Sequence, residues 1–188
     1  MNLLDNAIIF AVNAHSGMIR KSGNSPYILH PLEAVEIAGT MTNDESVLAA
    51  AALHDTVEDT SVTIEDIKEK FGSRVTELVN SETEDKREDR PPYETWQIRK
   101  EESIAVLRNT EDIGIKILWL SDKLSNMRSF YRLHKKYGDE MWNIFNQKDK
   151  NKHFWYYSTI AGILSDLKEY DAWQEYNRLI NLVFKEDN

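Results

Sequence analysis

The chain has 188 residues, no cysteine, and 32 acidic against 23 basic residues, which gives a formal charge of −9. The absence of cysteine excludes disulfides, thiolate metal sites and cysteine nucleophiles, and the acidic balance argues against nucleic-acid or membrane partners. No apolar run approaches the roughly 20 residues that cross a bilayer, and the N-terminus lacks a targeting pattern. We therefore expect a soluble, cytoplasmic, globular protein.

Apolar residues recur with helical spacing along most of the chain. The first predicted helix covers residues 3–12, and Pro31 is expected at the first position of the second. A third helix should begin at about Asp44, and Thr63 followed by Asp66 predicts a capping box for the next one. Because no stretch alternates with period two, the sequence predicts an all-α fold. The remaining predicted helices cover residues 115–131, 160–167 and 173–183.

The charged run at residues 81–90 ends at two prolines and is expected to be a solvated loop. Neither side of it has a self-sufficient hydrophobic pattern, so we expect one domain over residues 1–188. Residues 1–135 would form the core that carries the motifs, and the helices of 136–188 would pack on it. Whether residues 81–100 close over a site as a lid is left open by the sequence.

The most informative motif is a His-Asp dipeptide at the end of an apolar helix. His54 and Asp55 can both reach one cation there, and Glu58 and Asp59 follow within a turn. Four carboxyl or imidazole groups so close together require a compensating cation or protons. A His-Asp pair by itself is more often a surface helix end, but His30 adds a second imidazole just before a proline.

Asp122 adds a carboxylate inside an apolar helix. Its neighbours in sequence are core residues, and a buried carboxylate needs a partner. A salt bridge to Lys123 or Arg20 would satisfy it without any metal. Alternatively, Asp122 lies in the same cluster as the histidines.

Together these positions resemble the H…HD…D pattern of HD-domain metal-dependent phosphohydrolases. The chain is more closely similar to the Rel/Spo alarmone hydrolases, and to their small stand-alone members in particular. The stretches that carry this resemblance, in the expected order, are 20–31, 50–60, 71–79 and 120–128. The resemblance implies a compact HD-domain helical fold and one Mn²⁺ ion. The implied metal ligands are His30, His54, Asp55 and Asp122.

The resemblance also implies roles for residues around the metal. Glu58 and Asp59 would act as general acid and base, in an order that the sequence does not define. Asn126 lies one helical turn after Asp122 and would assist catalysis while holding the phosphate or ribose. The residues implied to meet the nucleotide are Arg20, Lys21, Asn126 and Ser129.

The implied activity is hydrolysis of the 3′-pyrophosphate of ppGpp and pppGpp, which yields GDP or GTP and pyrophosphate. Because 188 residues leave no room for a synthetase domain, the expected protein only degrades the alarmone. Two alternatives remain: the same fold acting on ppApp or NADPH, and a non-catalytic alarmone sensor. A helical structural protein would leave the paired histidine and aspartate motifs unexplained. The oligomeric state is not predictable, and a homo-oligomer is possible.

The sequence departs from the family at a few positions. Ser125 stands where a histidine is common and Ser129 where a threonine is usual, which affects phosphate and base recognition rather than the metal ligands. The other three histidines have structural interpretations. His15 is expected at a helix end, His134 on a solvated face and His153 in core packing.

Overall fold

The computed structural model describes residues 2–20, 23–87 and 89–185. Within these residues there is no β-strand, only an isolated bridge between Ile19 and Pro26, so the all-α prediction is confirmed. Short 3-10 segments lie at Gly138–Ile144 and Leu164–Leu167. The α-helices are α1 (Leu3–Ala14), α2 (Leu29–Gly39), α3 (Glu45–Leu53), α4 (Thr56–Asp59), α5 (Ile64–Glu82), α6 (Pro92–Arg108), α7 (Ile113–Tyr137), α8 (Lys150–Ile163) and α9 (Asp171–Phe184).

Side-chain caps begin two helices at the places where the sequence predicts a start, and the predicted capping box is confirmed. The Asp44 side chain accepts a hydrogen bond from the amide of Ser46, and Thr63 and Asp66 form a complete capping box. The prediction that Pro31 occupies the first position of the second helix is wrong, because α2 begins two residues earlier, at Leu29. A proline fits there because amides of the first helical turn have no partner within the helix.

The core is built around α7, which packs against α2, α3 and α9. The alanine-rich α3 lies between α1, α2, α5 and α7, and its residues 49–53 are fully buried. Small side chains allow this close approach of four helices. The C-terminal end of α3, where His54 lies, is consequently deep in the protein.

Two expectations fail between α5 and α7. The sequence analysis assigned no helix to residues 92–108, which form α6. The buried stripe of α6 includes Thr95 and Ser103 beside Trp96, so its apolar pattern is interrupted. The solvated-loop expectation is wrong for Glu84, whose side chain is 8% exposed and pairs with Arg99 and Lys100.

The C-terminal helices complete the core. α9 packs against α7, and α8 packs against α6 and α9. His153 is buried and its ring stacks on Trp142 with centroids 4.9 Å apart, next to buried Tyr156 and Tyr157. Core packing was the expected role of this ring-rich segment. None of the described helices is long and apolar enough to span a bilayer.

Candidate active site

Four side chains from separate parts of the chain converge on one buried point. His30 lies in the first turn of α2, His54 and Asp55 follow α3, and Asp122 lies within α7. Nε2 of His30 is 3.0 Å from Oδ1 of Asp122 and 3.4 Å from Oδ2 of Asp55. Nε2 of His54 is 3.5 and 3.3 Å from the same two oxygens, and 3.3 Å from Nε2 of His30. Adjacent ligand atoms about 2.1 Å from one ion are themselves about 3.0 to 3.4 Å apart. The separations among His30, His54 and Asp122 fit a single ion, and Asp55 lies at similar distances from both imidazoles.

The second nitrogen of each imidazole is bonded to the protein, which determines what faces the centre. Nδ1 of His54 lies 2.8 Å from the carbonyl oxygen of Ala51, which can only accept, so Nδ1 carries the proton. Nδ1 of His30 lies 2.7 Å from Oγ of Ser125, whose hydroxyl donates to Glu33 at 2.6 Å. Both Nε2 atoms are therefore free acceptors in the neutral rings. Metal-binding histidines are commonly oriented by such partners.

Two imidazole nitrogens and two carboxylate oxygens thus face one another as acceptors. They repel one another unless positive charge lies between them. Although burial lowers the pKa of His54, the carboxylates of Asp55 and Asp122 raise it well above its usual value. The centre therefore attracts positive charge. Its nitrogen and oxygen donors, without sulfur, suit a divalent ion harder than those that thiolates select.

Asp122 uses its two oxygens for different partners. Its Oδ2 pairs with Nζ of Lys123, which also lies 3.4 Å from Oε1 of buried Glu82. Its Oδ1 faces the histidines and accepts a hydrogen bond from Asn126 at 2.7 Å. The salt-bridge and cluster interpretations of Asp122 are therefore both right, with Lys123 rather than Arg20 as the partner.

A second pair of carboxylates borders the centre. Glu58 and Asp59 belong to the short helix α4, directly after Asp55. The hydroxyl of Tyr27 lies 2.7 Å from Oδ2 of Asp55 and 2.6 Å from Oδ2 of Asp59. Burial and these carboxylates raise the pKa of Tyr27, so the hydroxyl stays a donor. Nζ of Lys86 contacts Asp59 and lies 4.0 Å from Oε1 of Glu58.

The environment of Glu58 alters its proton affinity. Burial, followed by the carboxylates of Asp55 and Glu84, raises its pKa to about 7 against the opposing effect of Lys100. Burial likewise raises the pKa of Glu82 to about 7, with Lys123 opposing it. Glu58 can therefore hold or release a proton near neutral pH, as a general acid or base must.

Two connected cavities give this centre its access to ligands. The ligand atoms and the second carboxylate pair line a cavity of about 160 Å³. A cavity of about 300 Å³ shares Arg20 and Asn126 with it and has Phe130 and Phe145 on its walls. Nη2 of Arg20 donates to Oδ1 of Asn126 at 2.6 Å, at the junction of the two. Ser129 lines the larger cavity.

The residues from Ala7 to Gln147, about three quarters of the chain, match the family model described as "HD domain". The chain belongs to the HD-domain family. Its histidines and aspartates at the buried centre are the residues that the H…HD…D resemblance singles out. In this HD domain His30, His54 and Asp122 form a potential metal-binding group, in which their ligand atoms all lie within 4.8 Å of one another. Asp55 borders this group through its contacts with both imidazoles.

Curated relatives share this domain as part of larger proteins. An Aquifex aeolicus protein named guanosine-3′,5′-bis(diphosphate) 3′-pyrophosphohydrolase is 36% identical over 128 residues, 68% of this chain and 18% of its own length. Other curated relatives, from bacteria, are named GTP pyrophosphokinases. The chain spans only 17 to 18% of the length of these relatives.

Two solved structures match most of this chain and nearly all of their own chains. The 1.85 Å crystal structure of lmo0812 from Listeria monocytogenes matches with a TM-score of 0.72 and 31% identity, over 84% of this chain and 99% of that one. A structure described as that of a metazoan orthologue of SpoT that hydrolyses ppGpp matches with a TM-score of 0.77 over 97% of this chain and 96% of that one. At 24% identity, the second likeness concerns the fold.

The HD domain brings together every predicted site residue except Lys21, which lies outside the described residues. Tyr27 was not predicted as a site residue, although it lies in the stretch 20–31 that resembles the family, and Lys86 was expected in a solvated loop. The pairing of Lys123 with Glu82 was not predicted either. None of the three has a local sequence signal, because their partners lie on other elements.

The remaining histidines lie outside the group of converging ligands. His15 is buried and stacks on Tyr27 with centroids 4.9 Å apart, and its ring nitrogens have no hydrogen-bond partner among the described residues. His134 is half-buried, with Nε2 3.6 Å from Oδ1 of Asp139. These positions agree with the structural interpretations made from the sequence.

Proposed function

We propose that this protein is a Mn²⁺-dependent hydrolase that removes the 3′-pyrophosphate of ppGpp and pppGpp. The products are GDP or GTP and pyrophosphate. We further propose that residues 1–188 act as one HD hydrolase domain, with the helices after residue 135 packed on the core that holds the site. Its place of action would be the cytoplasm.

The observation that carries the proposal is the convergence of ligand atoms of His30, His54 and Asp122 on one buried point, with Asp55 in contact with both imidazoles. His30, His54, Asp55 and Asp122 are the proposed ligands. A divalent ion held by them would stabilise charge on a phosphoryl group and lower the pKa of an attacking water. Mn²⁺ agrees with a mixed imidazole and carboxylate donor set.

The protein's own groups would handle the protons of the reaction. Water attacks the phosphorus next to the ribose, and the bond from this phosphorus to the 3′-oxygen breaks. Asp59, held by Lys86 and Tyr27, is suited to accept the proton of the water. Glu58, with its pKa near 7, is suited to donate a proton to the departing 3′-oxygen. The atoms balance with these two carboxyl groups alone.

The cavities support a nucleotide polyphosphate as the substrate. Lys86, Lys100 and Lys123 bring positive charge to the walls around the carboxylates, which a protein of net charge −9 needs locally to bind a polyanion. Arg20 lies at the junction with the cavity that has aromatic walls, where a guanidinium can stack on a base. The relative named for 3′-pyrophosphohydrolase activity supports guanosine alarmones over other nucleotides.

The test is pyrophosphate release by metal-stripped protein given Mn²⁺, with ppGpp, pppGpp, ppApp and NADPH as parallel substrates. We expect rapid release from the guanosine alarmones only. Asp55→Ala should abolish metal binding and turnover together, whereas Glu58→Gln should bind metal and lose most activity. Glu65→Gln, at an exposed position of α5, is the matched control and should behave as the wild type.

Each other outcome decides against part of the proposal. Release from ppApp or NADPH alone would keep the site and overturn the guanosine assignment. Nucleotide binding without any turnover would favour the alarmone sensor. Equal metal loss in the Asp55 and Glu58 variants would overturn the division between metal ligands and proton-transfer groups.

A further inference from the structure

A chain of side-chain hydrogen bonds leads away from the metal-facing imidazole of His30. Nδ1 of His30 lies 2.7 Å from Oγ of Ser125, and this oxygen lies 2.6 Å from Oε2 of Glu33. The other oxygen of Glu33 accepts from Nη1 of Arg128 at 3.3 Å. Arg128 in turn makes two bonds, of 2.8 and 2.7 Å, to Glu175 on α9. This series of hydrogen bonds thus connects α2, α7 and α9.

Which group donates in each of these hydrogen bonds follows from the protons that each group carries. An ionised carboxylate only accepts, so Ser125 donates its single hydroxyl proton to Glu33. Its oxygen is then left to accept from Nδ1 of His30. The ring proton is therefore on Nδ1, and Nε2 presents its lone pair towards Oδ1 of Asp122, 3.0 Å away. Arg128 donates to the other oxygen of Glu33 and so holds this carboxylate in place beside Ser125.

The two histidines reach the same tautomer by different means. His54 donates to the backbone carbonyl of Ala51, which substitution leaves in place. His30 relies entirely on side chains, because Ser125 is its partner and Glu33 orients the hydroxyl. If the hydroxyl turned round to donate to Nδ1, the ring proton would move to Nε2 and block it as a ligand.

We infer that Ser125 and Glu33 are positioning residues that hold His30 in the tautomer and orientation required to bind the metal. The inference rests on the metal site of the proposed function and adds residues that do not touch the ion. It gives Ser125 a specific role at a position where the sequence analysis saw only a departure from the family.

The test compares three substitutions. Ser125→Ala removes the acceptor for the Nδ1 proton. Glu33→Gln keeps the size of the side chain, but its amide can donate to Ser125 and turn the hydroxyl towards His30. Ser121→Ala is the matched control, because Ser121 is equally buried on the same helix and its hydroxyl bonds only the carbonyl of Ile117, at 2.8 Å.

Mn²⁺ affinity of metal-stripped protein is measured by calorimetry, and the protonated ring nitrogen of His30 is identified by ¹⁵N NMR without metal. We expect Ser125→Ala and Glu33→Gln each to weaken Mn²⁺ binding about 10- to 100-fold, as loss of a histidine's supporting partner does in metal sites. Both variants should lose the Nδ1–H signal of the wild type, while Ser121→Ala keeps wild-type affinity and signal.

Three results would overturn the inference. The first is unchanged Mn²⁺ affinity in both Ser125→Ala and Glu33→Gln. The second is an equal loss in Ser121→Ala, which would indicate a general disturbance of α7. The third is a wild-type protein that binds no Mn²⁺ at all. None of these readouts uses a nucleotide, so the absence of alarmone hydrolysis alone would refute the proposed activity and leave this inference standing.

Discussion

In the metal-free protein, Glu58→Gln should raise the free energy of unfolding at pH 8 much more than at pH 5. Burial and neighbouring carboxylates raise the pKa of Glu58 from 4.5 to about 7. The folded protein therefore keeps this group protonated between these values, while the unfolded chain ionises it. Above pH 7 the folded state must hold an unfavourable buried charge, which glutamine does not carry.

The magnitude follows from the two pKa values. A difference between 4.5 and about 7, at about 1.4 kcal/mol for each pKa unit, corresponds to a cost of at most ~3.5 kcal/mol, which is approached well above pH 7. At pH 5 most of this cost is absent, because the folded state is still protonated. We expect the stabilisation by Glu58→Gln to grow by about 2 to 3 kcal/mol between pH 5 and pH 8.

Urea unfolding of both proteins at the two pH values, after removal of metal, measures this difference. Titrating groups that do not interact with Glu58 affect wild type and variant alike and cancel. Glu65→Gln is the control for replacing a surface glutamate on the neighbouring helix α5. The reasoning is refuted if Glu58→Gln changes stability equally at pH 5 and pH 8. With Mn²⁺ bound, the pH dependence should shrink, because a nearby cation favours the ionised carboxylate.

Three further substitutions test other parts of the structure. Tyr27→Phe removes the hydroxyl that is shared by two carboxylates of the site. Turnover should fall about 10-fold or more, because hydrogen bonds to charged groups contribute about 1.5 to 3 kcal/mol, and unchanged pyrophosphate release would contradict this prediction. Gly72→Ala, at φ 80°, should destabilise the protein by about 1 to 3 kcal/mol in urea, whereas Gly162→Ala inside α8 should not. Leu118→Ala, at a fully buried position, should cost about 2 to 5 kcal/mol in the same assay, against little for Ile113→Ala at a 53% exposed one.

Much of the helical structure was predictable because its signals are local. The capping box at Thr63 needs only residues three apart, and the position of Asn126 follows from one turn of helix after Asp122. Helix α6 was missed for the opposite reason. Its buried face includes Thr95 and Ser103, whose hydroxyls donate to carbonyl oxygens of α6 and, for Ser103, also to Glu84. The contact with Glu84 depends on the tertiary structure, and no local apolar pattern reveals this face.

The candidate site likewise contains some residues that a local sequence pattern reveals and others that it does not. The dipeptide of His54 and Asp55 was conspicuous in the sequence because both residues follow one apolar helix. The pairings of Lys86 with Asp59 and of Tyr27 with Asp55 join groups about 27 to 28 residues apart, and no local pattern predicts them. The mixed charges of residues 81–90 predict solvent exposure from composition alone, whereas the contacts that these residues make depend on the helices packed next to them.

By itself, the sequence determined the helical class, the capping box at Thr63 and the residue types able to bind a cation. These properties depend on interactions within a few residues or on composition, and they hold wherever the helices lie. Only the tertiary structure decided that His30 and Asp122, 92 positions apart, face one centre and that Ser125 and Glu33 orient the imidazole. Such contacts form when helices distant in sequence pack together, because only burial beside specific partners decides which polar atoms meet and where their protons lie.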